Sequence, residues 1–240
     1  MRIFLAGATG VIGRRLAGLL HAAGHEVVGT TRASAKTDGL RAIGVIPVVV
    51  DVLDADAVTQ AVAAARPDII IHQLTDLPSA PGTPGYAAAQ QANRRLRIEG
   101  TANLMQAAQQ AGVRRAIAQS IAFIYAPGEG PRSEADPLDT AAEGARQGTV
   151  QGIAALEREV LQTPGIVVGV VLRYGYLYGP HTWYAAPPKP PSLHVDAAAH
   201  AALLAVSHGV GIYNIAEDDG AVSIAKAVRD LGFDPAFRIS

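Results

Sequence analysis

The sequence predicts an α/β fold: a doubly wound parallel sheet with helices on both faces, followed by a small C-terminal region. Three observations predict it. Short apolar runs alternate with amphipathic stretches of helical period along most of the 240-residue chain. Three glycines, Gly7, Gly10 and Gly13, lie between the first apolar run and the first helical stretch. Apolar residues make up 49% of the chain and charged residues 17%, enough to build a core on both faces of a sheet.

The elements follow in order. Residues 3–6 form a short buried strand, and residues 10–23 a helix with Val11, Ile12, Leu16, Leu19 and Leu20 at helical spacing, ended by Gly24. Residues 26–30 and 45–50 read as strands two and three, the latter β-branched on both faces. Residues 54–65 form a helix closed by Pro67, and residues 69–72 form strand four. Residues 77–85 are rich in Pro, Gly and Ser and read as a loop. Residues 86–111 form one long amphipathic helix, and residues 115–120 strand five. Residues 126–139 are loop. A helix over 149–161 presents Ile153, Leu156 and Val160 on one face and leads into strand six at 166–172. After a Pro-rich connector at 181–191 come a helix at 195–206, a strand at 212–215 and a helix near 223–231.

Composition narrows the function classes. The net charge is −1 and there is no basic block, so no nucleic-acid partner is expected. Cysteine is absent, which excludes disulfides, thiolate metal sites and a cysteine nucleophile. No run of about 18 apolar residues exists, so no membrane span is expected, and the opening residues lack the charge order of a signal peptide. A cytoplasmic location is the expectation. The histidines of the last third lack metal spacing with acidic partners, so no metal is expected, and residues 217–220 read as a solvated turn.

The glycine triplet carries the chemistry. Gly7 permits a tight turn, Gly10 lets backbone approach a pyrophosphate, and Gly13 lets the helix pack close to the strand. Thr9, Val11 and Ile12 complete the loop at a helix N-terminus whose free N–H groups suit an anion. In its strand–turn–helix setting this loop predicts a Rossmann-like dinucleotide site. Strand two ends in Arg32, with Ser34 and Lys36 behind it, where an NAD site usually carries an acid; this favours the 2′-phosphate of NADP over NAD. Asp51 either accepts from the adenine amine, with Val52 against the ring, or caps the next helix. Gln73 and Leu74 end strand four beside the expected ribose. His72 is either a satisfied core-edge histidine or a ligand contact. Residues 1–180 are expected to form the dinucleotide-binding domain and 181–240 a small substrate or cap region.

With these residues placed, the chain resembles the extended short-chain dehydrogenase/reductases, in particular the NAD-dependent epimerase/dehydratase group. The likeness rests on the glycine loop, Gly100-Thr101-Ala102-Asn103-Leu104, Leu172-Arg173 with Tyr178-Gly179-Pro180, and His194-Val195-Asp196. It also rests on Ile212-Tyr213-Asn214-Ile215 and the closing Ala225-Lys226 and Leu231-Gly232-Phe233. The resemblance implies that Tyr174 and Gly175 line the nicotinamide end and that Ser120 lies beside the nicotinamide ribose. It also implies a homodimer through the helices at 86–111 and 149–161.

The catalytic half departs from that pattern. The group uses a Tyr and a Lys four residues apart, the Tyr as general acid/base and the Lys to lower its pKa. No Tyr-x-x-x-Lys occurs here. Aligned on Glu157, the two positions fall on Thr149 and Ile153, the usual Ser/Thr position falls on Ile121, and the Asn of the fourth helix falls on Arg97. Ser120 and Tyr125 are the remaining hydroxyls offered as catalytic candidates. The stretch between Tyr178-Gly179-Pro180 and His194 is short, and so is the stretch after Ile215, which implies a reduced substrate region. Three functions follow from this pattern: a reductase or epimerase-like enzyme using NADPH on a small carbonyl compound, a cofactor-binding sensor or partner module without turnover, and a scaffold without ligand.

Overall fold

The computed structural model of the chain describes residues 1–77 and 82–239. Residues 78–81, inside the loop read from the sequence at 77–85, lie outside the described residues.

Seven parallel strands form the main sheet: β1 (Arg2–Ala6), β2 (Glu26–Thr31), β3 (Ile46–Val49), β4 (Ile69–His72), β5 (Arg115–Ile121), β6 (Val168–Tyr174) and β9 (Gly211–Ile215). Their order across the sheet is β3-β2-β1-β4-β5-β6-β9. The order reverses direction between β1 and β4. A ligand crevice is expected at the carboxyl ends of these two strands.

Strand alternation divides the core into two layers. Ile3, Leu5, Ile69, Ile71, Ile117, Val170 and Leu172 point to one face, where they meet α1 (Val11–Ala22), α7 (Val195–Leu204) and α8 (Ala225–Leu231). Phe4, Ala6, Ile70, Ala116, Ala118 and Val171 point to the other, against α3 (Ala55–Ala65), α5 (Thr101–Gln110) and α6 (Gly144–Gln162). Strands buried on both faces read as continuous apolar runs, which is why β1, β4 and β6 were legible in the sequence. On α7, Ala197, Ala198, Ala199, Ala201 and Ala202 are fully buried, and Arg15 of α1 binds Asp196 at 2.7 Å.

Four local expectations change. The helix expected at 149–161 begins at Gly144, because residues 144–148 contain no proline to stop it. The long helix at 86–111 divides into α4 (Tyr86–Arg95), a π-turn at Leu96–Gly100, and α5. β3 is an edge strand, and its Ile46 and Val49 side chains face solvent. A 3₁₀ turn at Ser34–Lys36 and α2 (Thr37–Arg41) link β2 to β3. Beyond residue 180 the chain supplies β9 of the main sheet. It also supplies β8 (Ser192–His194), which pairs with β7 (Tyr176–Tyr178) in a separate two-stranded sheet.

Candidate dinucleotide and substrate site

The loop after β1 is built by close backbone approach. Gly7 sits at φ +90°, a region that disfavours a side chain, and a Cβ there would lie 2.7 Å from the Gln73 carbonyl oxygen at the end of β4. A Cβ on Gly13 would lie 2.0 Å from the Gly7 oxygen, so only glycine lets α1 start this near the strand. The Gly7 amide donates to Thr30 Oγ1 at 3.0 Å, and the Gly10 amide donates to the Gly7 oxygen at 3.0 Å. The first helical bond of α1 runs from Arg14 to Gly10, so the amides of Val11, Ile12 and Gly13 precede it. No side chain caps this terminus and its first turn carries no acid. Thr9 is half-buried and Gly10 exposed at the mouth. Open amides at a positive helix end, with backbone on both sides where side chains cannot fit, match a pyrophosphate.

At the far end of the crevice Arg32 is exposed and held by Asp76, with Nη2 at 2.9 Å and Nη1 at 3.4 Å. The Asp76 bond, with Asp51 also near, keeps the guanidinium above its ordinary pKa. Ser34 and Lys36 are exposed on the adjoining turn. Asp51 accepts from the Leu53 amide at 3.0 Å, while Asp54 accepts from Ala57 and caps α3. The cap is therefore three residues later than the sequence alternative placed it. Val52 is buried beside it, its carbonyl accepting from Asn103 at 2.9 Å.

The end of β4 is held by side-chain hydrogen bonds. His72 is fully buried: its Nδ1 accepts from the Leu74 amide at 3.1 Å, so Nε2 carries the proton and donates to Thr101 Oγ1 at 3.0 Å. Burial, with the nearby Arg97 charge, pushes its pKa down to about 4. His72 is a satisfied core-edge histidine. Next to it, Gln73 Nε2 donates to the Tyr174 hydroxyl at 3.2 Å, and Gln73 Oε1 is buried without a partner among the described residues. Tyr174 is buried, which raises its phenol pKa. Leu74 is half-buried, and its carbonyl accepts from Gln119 at 2.8 Å. A Cβ on Gly175 would lie 2.8 Å from the Pro191 oxygen, where β7 crosses toward β8.

The two catalytic candidates are both engaged. Ser120 donates to Glu157 Oε1 at 2.7 Å, and Glu157 holds Arg173 through bonds of 2.8 and 2.7 Å. Burial works against the Arg173 charge, but Glu157 outweighs it and holds the guanidinium above its ordinary pKa. Arg173 also lies 4.9 Å from the centre of the Tyr125 ring, and the Tyr125 hydroxyl donates to Asn214 at 2.6 Å. Burial raises the Tyr125 pKa, with Arg173 opposing. The phenol is therefore held neutral. Thr149 is half-buried, and Ile153 is fully buried against Ile124 and Val150, so apolar packing stands where an ammonium was expected.

Two aromatic pairs form among the described residues. Phe123 and Tyr176 stack at 3.9 Å with an 8° angle, and Lys189 lies 4.7 Å from the centre of the Tyr176 ring. Tyr86 meets Trp183 edge-on at 6.4 Å. Sequence reasoning missed Asp76 and the burial of Arg97. Their signals, an acid soon after strand four and an arginine among the apolar positions of a helix, acquire meaning only once β4 and α6 lie beside them.

The family description "NAD dependent epimerase/dehydratase family" matches residues 3–205. The chain belongs to this family. A 3-diazoavenalumate denitrifying reductase from a Streptomyces species is 41% identical, over 98% of this chain and 83% of that protein. Among solved structures, the UDP-glucose 4-epimerase of Thermus thermophilus, complexed with NAD, superposes with a TM-score of 0.79 at 20% identity over 100% of this chain and 95% of its own. The UDP-glucose 4-epimerase of Thermotoga maritima, solved with UDP-glucose, gives 0.78 at 16% over 99% and 94%. These two likenesses concern the fold. This family member keeps the loop geometry of a dinucleotide site while the phenol–ammonium pair is replaced. Among the described residues no helix is long and apolar enough to cross a membrane, and no group of acids and histidines is arranged to hold a metal.

Proposed function

We propose that the chain is a reductase that binds a nicotinamide cofactor, preferring NADP(H), and delivers hydride to a small flat electrophile that needs no proton in the same step. The observation that carries this reading is the pairing of an open phosphate cradle with an apolar Ile153 at the position of the ammonium. A carbonyl acceptor needs a proton donor at its oxygen. The phenols of Tyr125 and Tyr174 are engaged with Asn214 and Gln73, and burial holds both above their ordinary pKa, outweighing the Arg173 guanidinium at the Tyr125 ring. An arenediazonium carbon needs none: a bound dihydronicotinamide would supply the hydride whose electron pair forms the new C–H bond, the C–N bonding pair would leave with N₂, and the cofactor would be left oxidised. The Streptomyces relative is named for removing nitrogen from a diazo acid, and this chain is 41% identical to it.

The residues divide the work. Gly7, Thr9, Gly10, Val11, Ile12 and Gly13 hold the pyrophosphate, Arg32 with Ser34 the 2′-phosphate, and Asp51 and Val52 the adenine. Gln73, Leu74, Tyr174 and Gly175 border the nicotinamide half. Ser120 and Tyr125 act as positioning residues through Glu157, Arg173 and Asn214. They fix the ends of β5 and β6 under the cofactor, and no proton is routed through them.

The test mixes the protein with NADPH or NADH carrying deuterium at the nicotinamide C4, and with an arenediazonium carboxylate or an aryl aldehyde. Deuterium in the denitrified arene with release of N₂ supports the reading. Deuterium in an alcohol from the aldehyde alone makes the protein a carbonyl reductase. Tight cofactor binding without consumption by either makes it a sensor.

A further inference from the structure

Arg97 stands apart among the charged side chains. It is 9% exposed, and it makes no hydrogen bond or ion pair among the described residues. It lies in the π-turn at Leu96–Gly100, where Leu96 and Gly100 are buried with it. Its sequence neighbours are committed elsewhere: Arg95 binds Glu99 at 2.7 Å and Arg94 binds Gln151 at 2.7 Å. The stem crosses α6 at Gly152, where an added Cβ would lie 3.4 Å from Arg97 Cδ, beside the Ile153 that occupies the lysine position. The guanidinium lies near enough to His72, at the end of β4, for its charge to lower that pKa, and Tyr86 lies near enough to the guanidinium to favour its charge. Tyr86 in turn contacts Trp183.

A cation that is nine-tenths buried and has no partner among the described residues is costly to hold, and an anion that pairs with it recovers part of that cost. We propose that Arg97 receives a carboxylate on the substrate, so that the enzyme selects acids whose flat, unsaturated portion lies against Tyr86 and Trp183. The guanidinium presents two parallel N–H groups to the two carboxylate oxygens, which fixes orientation as well as charge. The chain thus loses one cation from α6 and gains one on the neighbouring helix, aimed at the substrate. Burial depresses the Arg97 pKa to about 10, still charged at neutral pH, and an incoming carboxylate would raise it again. The proposal rests on the reductase reading for the chemistry that follows binding, but the binding itself is measured without turnover.

The test is calorimetric titration of the full chain, saturated with NADP⁺, with benzoate and with benzamide. Wild type is expected to bind benzoate about tenfold more tightly or better. Arg97→Met is expected to remove that difference with NADPH affinity unchanged, and Arg97→Lys to keep part of it. In the ligand-free state Arg97→Met is expected to melt at or above wild type, because a desolvated charge is removed. Equal binding of the two probes by wild type, or a preference that survives in Arg97→Met, overturns the proposal. So does weaker NADPH binding in Arg97→Met, which would assign the guanidinium to a cofactor phosphate. A lower melting temperature in both Arg97→Met and Arg97→Lys, with the preference intact in the folded fraction of each, would assign it to the fold. Benzoate selection without reduction of any diazo or carbonyl compound would defeat the reductase reading and leave the carboxylate site standing.

Discussion

Arg32 at the end of β2 and Asp76 beyond β4 form an ion pair at 2.9 Å, and the proposed NADP(H) preference assigns the 2′-phosphate to this arginine. The arginine is 56% exposed, so the pair is worth about 0–1 kcal/mol and can be exchanged for a phosphate with little loss. Arg32→Ala is expected to weaken NADPH binding about tenfold or more and leave NADH nearly unchanged. Asp76→Asn frees the guanidinium and is expected to tighten NADPH binding a few-fold. Fluorescence titration with both cofactors at low and high salt checks both; identical NADPH and NADH affinities in wild type would remove Arg32 from the phosphate role.

The loop geometry makes Gly13 intolerant of the smallest side chain. A Cβ 2.0 Å from the Gly7 carbonyl forces α1 away from β1, at a cost of about 1–3 kcal/mol in overpacking. Gly13→Ala is expected to lower the melting temperature and to abolish measurable binding of either cofactor. Gly18, on the same helix with open space around it, is the control. Equal loss of binding in Gly18→Ala would show that helix composition rather than close approach governs the site.

Ser120 and Tyr125 offer hydroxyls already spent on Glu157 and Asn214. Tyr125→Phe leaves the Asn214 side chain short of one partner and is expected to cost about 1 kcal/mol of stability, with turnover reduced less than tenfold. Ser120→Ala is expected to behave alike. A loss of several orders of magnitude in kcat at unchanged stability in either variant would make that hydroxyl a proton carrier and return carbonyl chemistry to the table.

The sheet and the phosphate loop were legible because each is a local pattern. An apolar run between turn residues gives a doubly buried strand, and three glycines at the right spacing mark one turn. What the sequence hid depends on distance along the chain. Glu157 and Arg173 are 16 residues apart, and Arg32 and Asp76 are 44 apart. The sequence marked Glu157 only as a trailing residue of the catalytic helix, since nothing local shows that its carboxylate faces β6. The β7–β8 pair was invisible for the same reason: three residues each, too short for a period, paired only because the chain returns at Pro191.

Glu157 and Arg173 form a buried bidentate pair, with side chains 7% and 3% exposed. Removing one partner strands the other charge. Glu157→Leu and Arg173→Met are each expected to destabilise the fold by about 3–5 kcal/mol, whereas the double substitution Glu157→Leu with Arg173→Met is expected to recover much of it. Denaturant melts of the two single variants and the double one check this, and additive losses would show that the pair is not the interacting unit.

His72 gives the fold a pH dependence whose sign follows from its burial. In the unfolded chain its pKa is about 6.5, and in the folded chain about 4. Above the higher value both states are neutral and stability is full. As pH falls from about 6.5 toward 4, the unfolded chain takes up a proton that the folded chain refuses, so stability is lost, by about 3 kcal/mol at most. His72→Gln is expected to flatten that part of the stability–pH curve, leaving the smaller slopes of His25, His194 and His200, whose pKa values burial also lowers. Arg97→Met removes a neighbouring positive charge and is expected to raise the His72 pKa, measurable from the imidazole proton shifts. An unchanged His72 titration in Arg97→Met would place the guanidinium away from the end of β4, where the carboxylate site requires it.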